Sequence, residues 1–234
     1  MHKESCPIFK RTKKRSGTSK IMLAFSGGKD SICAALYCLE KFEEVVPYYA
    51  YIIPDLDFVE ENLRYYEERL FGKKVLRVPH PCLSRWLDDL LYQSPDSALV
   101  YQDAKLPRYD LNDLADMVRI QEGLAATIYH ATGVRMTDAP FRRVALQRYG
   151  PISEKLKKVH IIWNWRQQRV YDEIEGAGLT LSNEYVMMGR SLAGIDIRFL
   201  KPIKEHHPKD YAKIVDWFPL IDAELWRYER GSHA

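Results

Sequence analysis

Short apolar runs alternate with amphipathic stretches along the chain from Ile21 onward. The run from Ile21 to Phe25 is continuously apolar and ends in Ser-Gly-Gly, which is typical of a strand that is buried on both faces. The next apolar residues recur with the spacing of one helix face, and they are Ile32, Ala35, Leu36, Leu39 and Phe42. This order of elements predicts an α/β fold, in which a parallel twisted sheet carries helices on both faces.

The same patterns continue toward the C-terminus. Further strands are predicted at residues 45–53, 75–78 and 159–163, and further helices at 58–71, 83–91, 111–126, 168–175 and 208–228, with an apolar segment at 128–134. Residues 93–110 are polar and contain Pro95 and Pro107, so we expect a long surface loop there. The predicted organisation is one main domain at 21–180 and a mostly helical C-terminal extension at 181–234.

Composition narrows the class of protein. A chain of 234 residues with 46% hydrophobic residues is long enough to bury one sizeable core. No apolar run approaches the roughly 20 residues that cross a bilayer, and the N-terminus lacks the apolar region of a signal peptide. The four cysteines form no Cys-x-x-Cys pair, which indicates free thiols in a reducing compartment. We therefore expect a cytoplasmic protein without a membrane partner.

Charge is distributed unevenly. Residues 1–20 contain seven Lys or Arg and one acidic residue, so this segment carries +6 of a total charge of +3 and leaves −3 for the remainder. We interpret residues 1–20 as a basic, flexible tail. A second interpretation stays open, in which the run from Lys10 to Arg15 binds nucleic acid by releasing condensed counterions.

The segment after the first predicted strand carries most of the candidate chemistry, and it consists of Ser26, Gly27, Gly28, Lys29, Asp30 and Ser31. Two glycines let the backbone turn tightly and bring its N–H groups close to a phosphate. The N-terminus of the following helix adds N–H donors and the positive end of the helix dipole. Lys29 supplies a cation, and Ser26 and Ser31 supply hydroxyl donors. Asp30 either holds Mg²⁺ or caps the helix.

The spacing of this loop differs from the dinucleotide-binding Gly-x-Gly-x-x-Gly and from the Walker loop. With the apolar strand before it, the loop instead resembles the PP-loop of ATP pyrophosphatases, whose members cleave ATP between the α and β phosphates to adenylate a substrate. The resemblance implies an adenine nucleotide alpha hydrolase-like fold, with residues 21–180 as the nucleotide-binding domain. It also implies ATP and Mg²⁺ as cofactors.

Three further segments resemble the phosphoadenosine phosphosulfate (PAPS) reductase family of that superfamily, namely 51–58, 133–142 and 160–174. The resemblance places Asp55 and Gly133 beside the nucleotide, and it assigns catalytic roles to Lys29, Arg135 and Arg142, with the two arginines binding phosphate or sulfate. Two alternatives stay open from the residues themselves. Asp55 can cap a helix, and Arg142 can belong to a solvated helix face.

The chain also departs from that family. It lacks the C-terminal Glu-Cys-Gly nucleophile and the paired cysteines of an iron–sulfur cluster, and no cysteine follows Cys82. We expect no cluster, and we expect no direct reduction of an adenylyl sulfate unless an earlier thiol such as Cys82 takes the nucleophile's place. Cys33 and Cys38 fall within the first predicted helix and are interpreted as packing residues.

The predicted function is therefore that of an enzyme that binds Mg·ATP or an adenosine phosphosulfate-type nucleotide and adenylates a substrate. The acceptor is either a sulfate-like oxyanion or a base in a nucleic acid or nucleotide. A non-catalytic adenine-nucleotide-binding module and a sulfonucleotide reductase with an atypical thiol are the alternatives. The sequence leaves the oligomeric state open, a homodimer included.

Overall fold

The computed structural model of the protein describes residues 6–189 and 192–231. The chain divides into two compact units. Met1–Ala50, Leu63–Val78 and Ala115–Ser182 form the first unit, and Tyr51–Asn62, Pro79–Leu114 and Asn183–Ala234 form the second. Residues 1–5 of the predicted tail, and residues 190–191 and 232–234 of the predicted extension, lie outside the described residues.

Strands and helices alternate over the first two thirds of the chain, and helices follow. The strands are β1 Lys20–Ala24, β2 Glu44–Tyr51, β3 Leu76–Pro79, β4 His130–Thr132, β5 Ile152–Ser153 and β6 Lys158–His160. The helices are α1 Cys6–Ser16, α2 Lys29–Lys41, α3 Asp57–Tyr66, α4 Pro81–Asp88, α5 Pro95–Ala104, α6 Leu111–Gln121, α7 Pro140–Tyr149, α8 Gln167–Gly176, α9 Asn183–Met188, α10 Ile197–His206, α11 Pro208–Trp217 and α12 Asp222–Gly231. A π-helical turn, Glu67–Phe71, continues α3.

The strands form one mostly parallel sheet in the order β3-β2-β1-β4-β6-β5. Strand β1 is parallel to β2 and to β4, β6 is parallel to β4, and β5 closes one edge in the antiparallel direction. Ile21, Met22 and Leu23 of β1 have no solvent exposure. Because successive side chains of a strand point to opposite faces, both faces of the sheet are covered at β1. The predicted α/β class is confirmed.

Helix α2 connects β1 to β2, and its buried side overlaps the predicted apolar face only in part, because Leu36 and Leu39 are half-buried. Ile32 and Ala35 are fully buried, and so are Cys33 and Cys38, which confirms the interpretation of these two cysteines as packing residues. Tyr37 packs edge-on against Trp165, with 4.6 Å between the ring centroids. Burial of this helix face fixes the position of the loop that precedes it.

The described part of the predicted flexible tail is a helix, α1, and this differs from our expectation. Ile8 and Phe9 are buried, and the Phe9 ring packs against the rings of Tyr37 and Phe42 at 6.4 and 5.8 Å between centroids. The basic residues of α1 concealed this short apolar face in the sequence. Burial of an aromatic side chain orders a segment that composition alone marks as disordered.

Two other sequence predictions are also corrected. Residues 95–104 of the predicted surface loop form helix α5, which buries none of its side chains. The Ser94 hydroxyl caps this helix by accepting the Ser97 N–H at 3.3 Å, and Pro95 occupies its first turn. The predicted single helix at 208–228 is two helices, α11 and α12, with a break between Trp217 and Asp222.

In the second unit, the N-terminus of α3 is capped from a distant part of the sequence. The buried carboxylate of Asp210 accepts the backbone N–H groups of Asp57 at 2.7 Å and Phe58 at 3.1 Å. Lys213 Nζ lies 3.1 Å from the same carboxylate. None of the helices in the described ranges has the length and apolarity that a bilayer crossing requires.

Candidate functional site

Two predicted motifs lie at the point where the strand order reverses. The chain leaves β1 toward β2 and β3 on one side and later enters β4 on the other side. In an open parallel sheet, this reversal leaves a crevice beyond the carboxyl ends of the two adjacent strands. The segments that follow β1 and β4 are residues 25–28 and 133–139, so the structure brings the glycine loop and the Gly133–Arg142 segment to this crevice.

The glycine loop turns directly from β1 into α2. Gly27 has a φ of +70°, a left-handed conformation that glycine adopts without strain, and a Cβ added there would meet no atom within 4 Å beyond its chain neighbours. Gly28 is the N-cap residue of α2 and provides no side-chain cap for the first backbone N–H groups of that helix. The helix therefore begins at the loop with its positive dipole end and its N–H donors, as an anion-binding site requires.

The two serines of the loop have different roles in this arrangement. Ser31 is buried, and its hydroxyl donates to the Gly28 carbonyl at 2.8 Å while its oxygen accepts the backbone N–H of Ser26 at 3.2 Å. The single proton of Ser31 is thus used inside the loop, so this hydroxyl holds the turn closed and does not supply the outward donor that we expected. Ser26 is exposed, and its hydroxyl donates to Ser31 Oγ at 3.3 Å and accepts the backbone N–H of Gly28 at 3.4 Å.

Gly133 allows β4 and α2 to approach each other at backbone distance. A Cβ atom at this position would lie 2.6 Å from the carbonyl carbon and oxygen of Asp30 and 2.9 Å from the backbone nitrogen of Ser31. These atoms belong to the first turn of a packed helix and cannot move aside as a flexible side chain would. Gly133 is therefore required for the packing of the residues after β4 against α2. Its predicted contact with the nucleotide stays a prediction.

A row of alternating charges runs from the loop to the start of α7. Lys29 Nζ lies 2.7 Å from Asp30 Oδ2, and Asp30 Oδ1 lies 2.8 Å from Arg135 Nε. Asp138 then contacts Arg135 Nη2 at 2.9 Å through Oδ1 and Arg142 Nη1 at 3.1 Å through Oδ2. Three cations and two carboxylates leave one net positive charge at the carboxyl ends of β1 and β4.

Arg135 is the most buried member of this row, with 4% of its surface exposed. Its Nη1 has no hydrogen-bond partner within residues 6–189 and 192–231, and the geometry between its Nε and Asp30 is that of an ion pair without hydrogen-bond alignment. A guanidinium stays charged at all relevant pH values, and a buried donor without a partner costs free energy. Such an atom at the mouth of an anion site is a candidate donor to a ligand.

Asp138 is the member that the sequence interpretation overlooked. Besides its two ion pairs, it accepts the backbone N–H of Arg135 at 2.9 Å, and it thereby shapes the turn after β4. The Arg135/Asp138 spacing of three residues was a visible signal for this pairing. Arg142, which we expected to bind substrate anion or to lie on a solvated helix face, is partly exposed on α7 and reaches the site through Asp138.

A second pair of side chains lies at the carboxyl ends of the strands. Thr132 Oγ1 lies 2.7 Å from His160 Nδ1, and these residues end β4 and β6. Burial, together with the cationic side chains of Lys158 and Arg142, lowers the pKa of His160 to about 4. His160 is therefore a neutral imidazole near pH 7, and it adds no charge to the anion site.

The residues of the loop do not form a ready metal site. Both oxygens of the Asp30 carboxylate face cations, so a metal ion at Asp30 would replace Lys29 or Arg135. Within the part of the chain that the structure describes, no group of three His, Cys, Asp or Glu side chains has the arrangement of a metal site. The predicted role of Asp30 as a Mg²⁺ ligand stays a prediction, and it requires the carboxylate to give up one of these two ion pairs.

Asp55 belongs to the second unit and the glycine loop belongs to the first, so the predicted contact of Asp55 with the nucleotide stays a prediction. Its side chain is exposed, its φ is +57°, and its carbonyl accepts a hydrogen bond from Lys213 Nζ at 2.6 Å. Cys82 also belongs to the second unit, with Arg85 Nη2 3.4 Å from its sulfur. The alternative role of Asp55 as a cap is filled by Asp210, which binds the first N–H groups of α3.

The fold and the site together define an α/β protein with a glycine loop and a helix N-terminus at the switch point of a mostly parallel sheet. No protein-family model matches the chain, and no curated protein sequence matches it. One solved structure with some likeness is that of NH3-dependent NAD synthetase from Campylobacter jejuni subsp. jejuni NCTC 11168 in complex with the nitrate ion. The alignment has 15% sequence identity, covers 96% of this chain and 91% of that chain, and has a TM-score of 0.45. A likeness this weak establishes neither a shared fold nor a shared function.

Proposed function

We propose that the protein is an ATP-using enzyme of the PP-loop type, which transfers the AMP moiety of ATP to an acceptor and releases pyrophosphate. One observation carries this proposal. The glycine loop and the open N-terminus of α2 lie at the switch point of the sheet, next to a buried Arg135 whose Nη1 has no partner among the described residues. A polyphosphate supplies the negative charge and the acceptor oxygens that these groups attract.

In the proposed reaction, a nucleophilic atom of the acceptor attacks the α-phosphorus of ATP. A bond forms between this atom and the α-phosphorus, the bridging bond from the α-phosphorus to the β-phosphate oxygen breaks, and pyrophosphate leaves with the electron pair. Negative charge grows on the leaving pyrophosphate during this step. The N–H groups at the start of α2 and the cation of Lys29 are the groups of this chain that stabilise that charge.

Binding of a polyphosphate has to break the ion pair between Lys29 and Asp30. Lys29 Nζ is paired with Asp30 in the structure, and the carboxylate of Asp30 also faces Arg135. When a polyphosphate binds, Lys29 turns from Asp30 to the phosphate oxygens, and Asp30 keeps its pair with Arg135. The carboxylate thus stays neutralised and does not repel the substrate. Mg²⁺, when bound with ATP, adds charge neutralisation, and its ligands in this proposal are phosphate oxygens and water.

The finer assignment within this class is to the PAPS reductase branch, in which the bound nucleotide is ATP or an adenosine phosphosulfate. Two features support it. The Gly133–Arg135 turn lies directly beside the loop, as the resemblance implies, and Arg142 connects to the same ion-pair row through Asp138. This assignment is tested by measuring how strongly adenosine 5′-phosphosulfate, AMP and inorganic sulfate each compete with ATP for binding. We expect adenosine 5′-phosphosulfate to compete best, and equally weak competition by all three would contradict the assignment.

The first test is incubation of the purified protein with Mg·[α-³²P]ATP, alone and with sulfate, RNA or DNA, followed by separation of AMP, pyrophosphate and labelled adducts. We expect AMP and pyrophosphate, and we expect Lys29→Met to lower the rate by about 100-fold or more, the size typical of one removed charge-stabilising donor. Lys20→Met is the matched control, since Lys20 forms a partly exposed surface pair with Glu44. Its rate should stay within about twofold of the parent.

A direct measurement of ATP binding completes the test. Binding that is retained without any release of pyrophosphate, whichever acceptor is present, would contradict the enzymatic proposal and identify a non-catalytic nucleotide-binding module. A variant Lys29→Met that keeps full activity would show that the loop is not the site of the reaction.

A further inference from the structure

Helix α7 exposes an unusual combination of cations and aromatic rings. Leu146 is its buried residue, while Phe141 and Tyr149 are 71% and 72% exposed and Val144 is 63% exposed. Exposed aromatic side chains of this size bring no stability to a helix that faces only water. The helix also contains three arginines and no acidic residue. These features indicate a surface that binds a partner.

The cations continue beyond α7. Residues 139–158 contain one acidic residue, Glu154, and six basic residues, which are Arg142, Arg143, Arg148, Lys155, Lys157 and Lys158. This concentration contrasts with the net negative charge of the chain outside residues 1–20. Among the residues that the structure describes, Arg143, Arg148 and Lys155 belong to no ion pair, so their charges are not neutralised within the protein.

Helix α1 extends this charge. Arg15 Nη2 lies 2.7 Å from Glu154 Oε1, so the end of α1 is held at the turn between β5 and β6. Lys10, Arg11 and Lys14 are exposed on α1. The basic surface is defined as the exposed cations of α1 together with the exposed cations and aromatic rings of residues 139–158. Glu154, the acidic residue within its second segment, is neutralised by Arg15.

The basic surface is connected to the candidate site. Pro140 begins α7 directly after the turn of Arg135 and Asp138, and Arg142 in its first turn pairs with Asp138 at 3.1 Å. The row of charges that starts at Lys29 therefore ends on the basic surface. A long polyanion that lies on this surface would reach the carboxyl ends of β1 and β4, where the proposed reaction takes place.

We propose that the basic surface binds a single-stranded nucleic acid and presents it to the loop as the acceptor of adenylation. Clustered Lys and Arg gain affinity for a phosphate backbone by releasing condensed counterions. Exposed Phe141 and Tyr149 offer faces on which unpaired bases stack, and Arg142 and Arg148 lie 5.8 and 5.2 Å from the centroids of these two rings. The acceptor role rests on the proposed function, whereas the binding itself does not.

The aromatic rings favour a single strand over the other polyanions. A duplex keeps its bases stacked within the helix, so it can use the cations but not the rings. An acidic protein surface would use the cations but would offer no series of flat bases to two solvated rings. RNA and DNA single strands share the chemistry that this surface recognises, and the experiment compares them.

Binding is measured without ATP by fluorescence anisotropy, using labelled single-stranded RNA, single-stranded DNA and duplex DNA of about 20 nucleotides. We expect a single strand to bind more tightly than the duplex. Arg143→Glu/Arg148→Glu should lower the affinity by about 20-fold at 0.1 M salt and reduce the slope of log affinity against log salt by about 1.4. Phe141→Ala/Tyr149→Ala should lower it by about 5- to 100-fold with little change in that slope.

Matched controls come from exposed residues of the second unit. Lys201→Glu/Lys209→Glu makes the same change of charge, and Trp226→Ala removes another exposed aromatic ring. Both should bind the single strand within about twofold of the parent. These exposed side chains do not stabilise the fold, so every variant should fold like the parent. Circular dichroism of each variant verifies this.

Binding that is unaffected by both double variants, or a duplex that binds as tightly as the single strand, would overturn the proposal. The acceptor role is tested by pyrophosphate release, which the single strand should stimulate in the parent and not in Arg143→Glu/Arg148→Glu. Binding without stimulation, in a protein that adenylates another acceptor, would overturn the acceptor role. Strand binding in a protein without any ATP turnover would instead contradict the proposed function and leave the surface in place.

Discussion

The Nε atom of Arg135 lies 2.8 Å from Oδ1 of Asp30, and this ion pair joins the turn after β4 to the first turn of α2. On its other side, Arg135 pairs with Asp138 at 2.9 Å. The buried guanidinium thus pairs with two partly exposed carboxylates next to a loop that is open to an anion. A buried charge that is fixed between two partners is a means of keeping such a loop in one conformation.

Removal of this guanidinium should therefore destabilise the protein. Arg135→Leu leaves the carboxylates of Asp30 and Asp138 without their buried partner, and we expect the free energy of unfolding in urea to fall by about 3 kcal/mol. Arg142→Leu is the matched control, since Arg142 is more exposed and pairs with the same Asp138. It should cost less than about 1 kcal/mol. Equal losses for the two variants would show that burial of Arg135 has no energetic consequence.

Gly133 offers a second test of the contact between β4 and α2. In Gly133→Ala, the new methyl group would lie 2.6 Å from the Asp30 backbone, so the helix or the strand has to shift. We expect a loss of about 2 kcal/mol in unfolding free energy and weaker ATP binding, because the loop moves with the helix.

Gly176→Ala is the control for this change. Gly176 is the last residue of α8, and a Cβ there would meet no atom within 4 Å. Alanine at a helix position without strain should be neutral or slightly stabilising. ATP affinity that falls equally in both variants would contradict a specific role for the Gly133 contact.

His130 should make stability depend on pH. Burial, together with the nearby side chains of Lys158, Arg119 and His160, lowers its pKa to about 3. In the unfolded chain the imidazole takes up a proton near its ordinary pKa of 6.5, so the unfolded state binds more protons as the pH falls below that value. Stability contributed by the neutral imidazole is thus lost as the pH falls from 6.5 toward 3.

We expect the parent to lose about 2 kcal/mol more than His130→Leu between pH 6.5 and pH 4.5, measured by urea denaturation at each pH. The difference between the two proteins isolates this residue, because the carboxylates titrate in both. Parallel curves for parent and variant over this range would show that His130 titrates alike in the folded and unfolded states.

The cysteines allow a test of the alternative in which an atypical thiol reduces a sulfonucleotide. Burial, together with the Asp30 and Glu173 carboxylates, raises the pKa of Cys33 to about 12, and burial also raises the pKa of Cys38. Cys82 is partly exposed. Because the thiolate is the reactive form, iodoacetamide should modify Cys82 well before Cys33 and Cys38 in the native protein, as mapped by mass spectrometry.

Cys82→Ser should then cleave ATP at the same rate as the parent, which serves as the reference under identical conditions. Loss of activity in Cys82→Ser, with ATP binding intact, would favour the thiol-dependent alternative over adenylation. Urea should expose all three thiols and make their rates of modification similar, which verifies that burial controls the order.

The local pattern of the chain was sufficient for several elements and misleading for others. The continuous apolar run of β1, the two glycines and the spaced apolar face of α2 are each written within a few neighbouring residues, and the structure has all three. Helix α5 was missed because it buries no side chain and so has no apolar period. Its Ser94–Pro95 cap was a local signal that we interpreted as part of a surface loop.

The sequence by itself determined the α/β class, the glycine loop between a buried strand and a helix, and the uneven charge of the chain, because these depend on neighbours along the chain. Only the tertiary structure decided that Asp30 pairs with Arg135, that Gly133 lies against the first turn of α2, and that α1 packs on Tyr37 and Phe42. These contacts join residues that are far apart in sequence. Their existence depends on strand order and on helix packing, which no local period of apolar residues encodes.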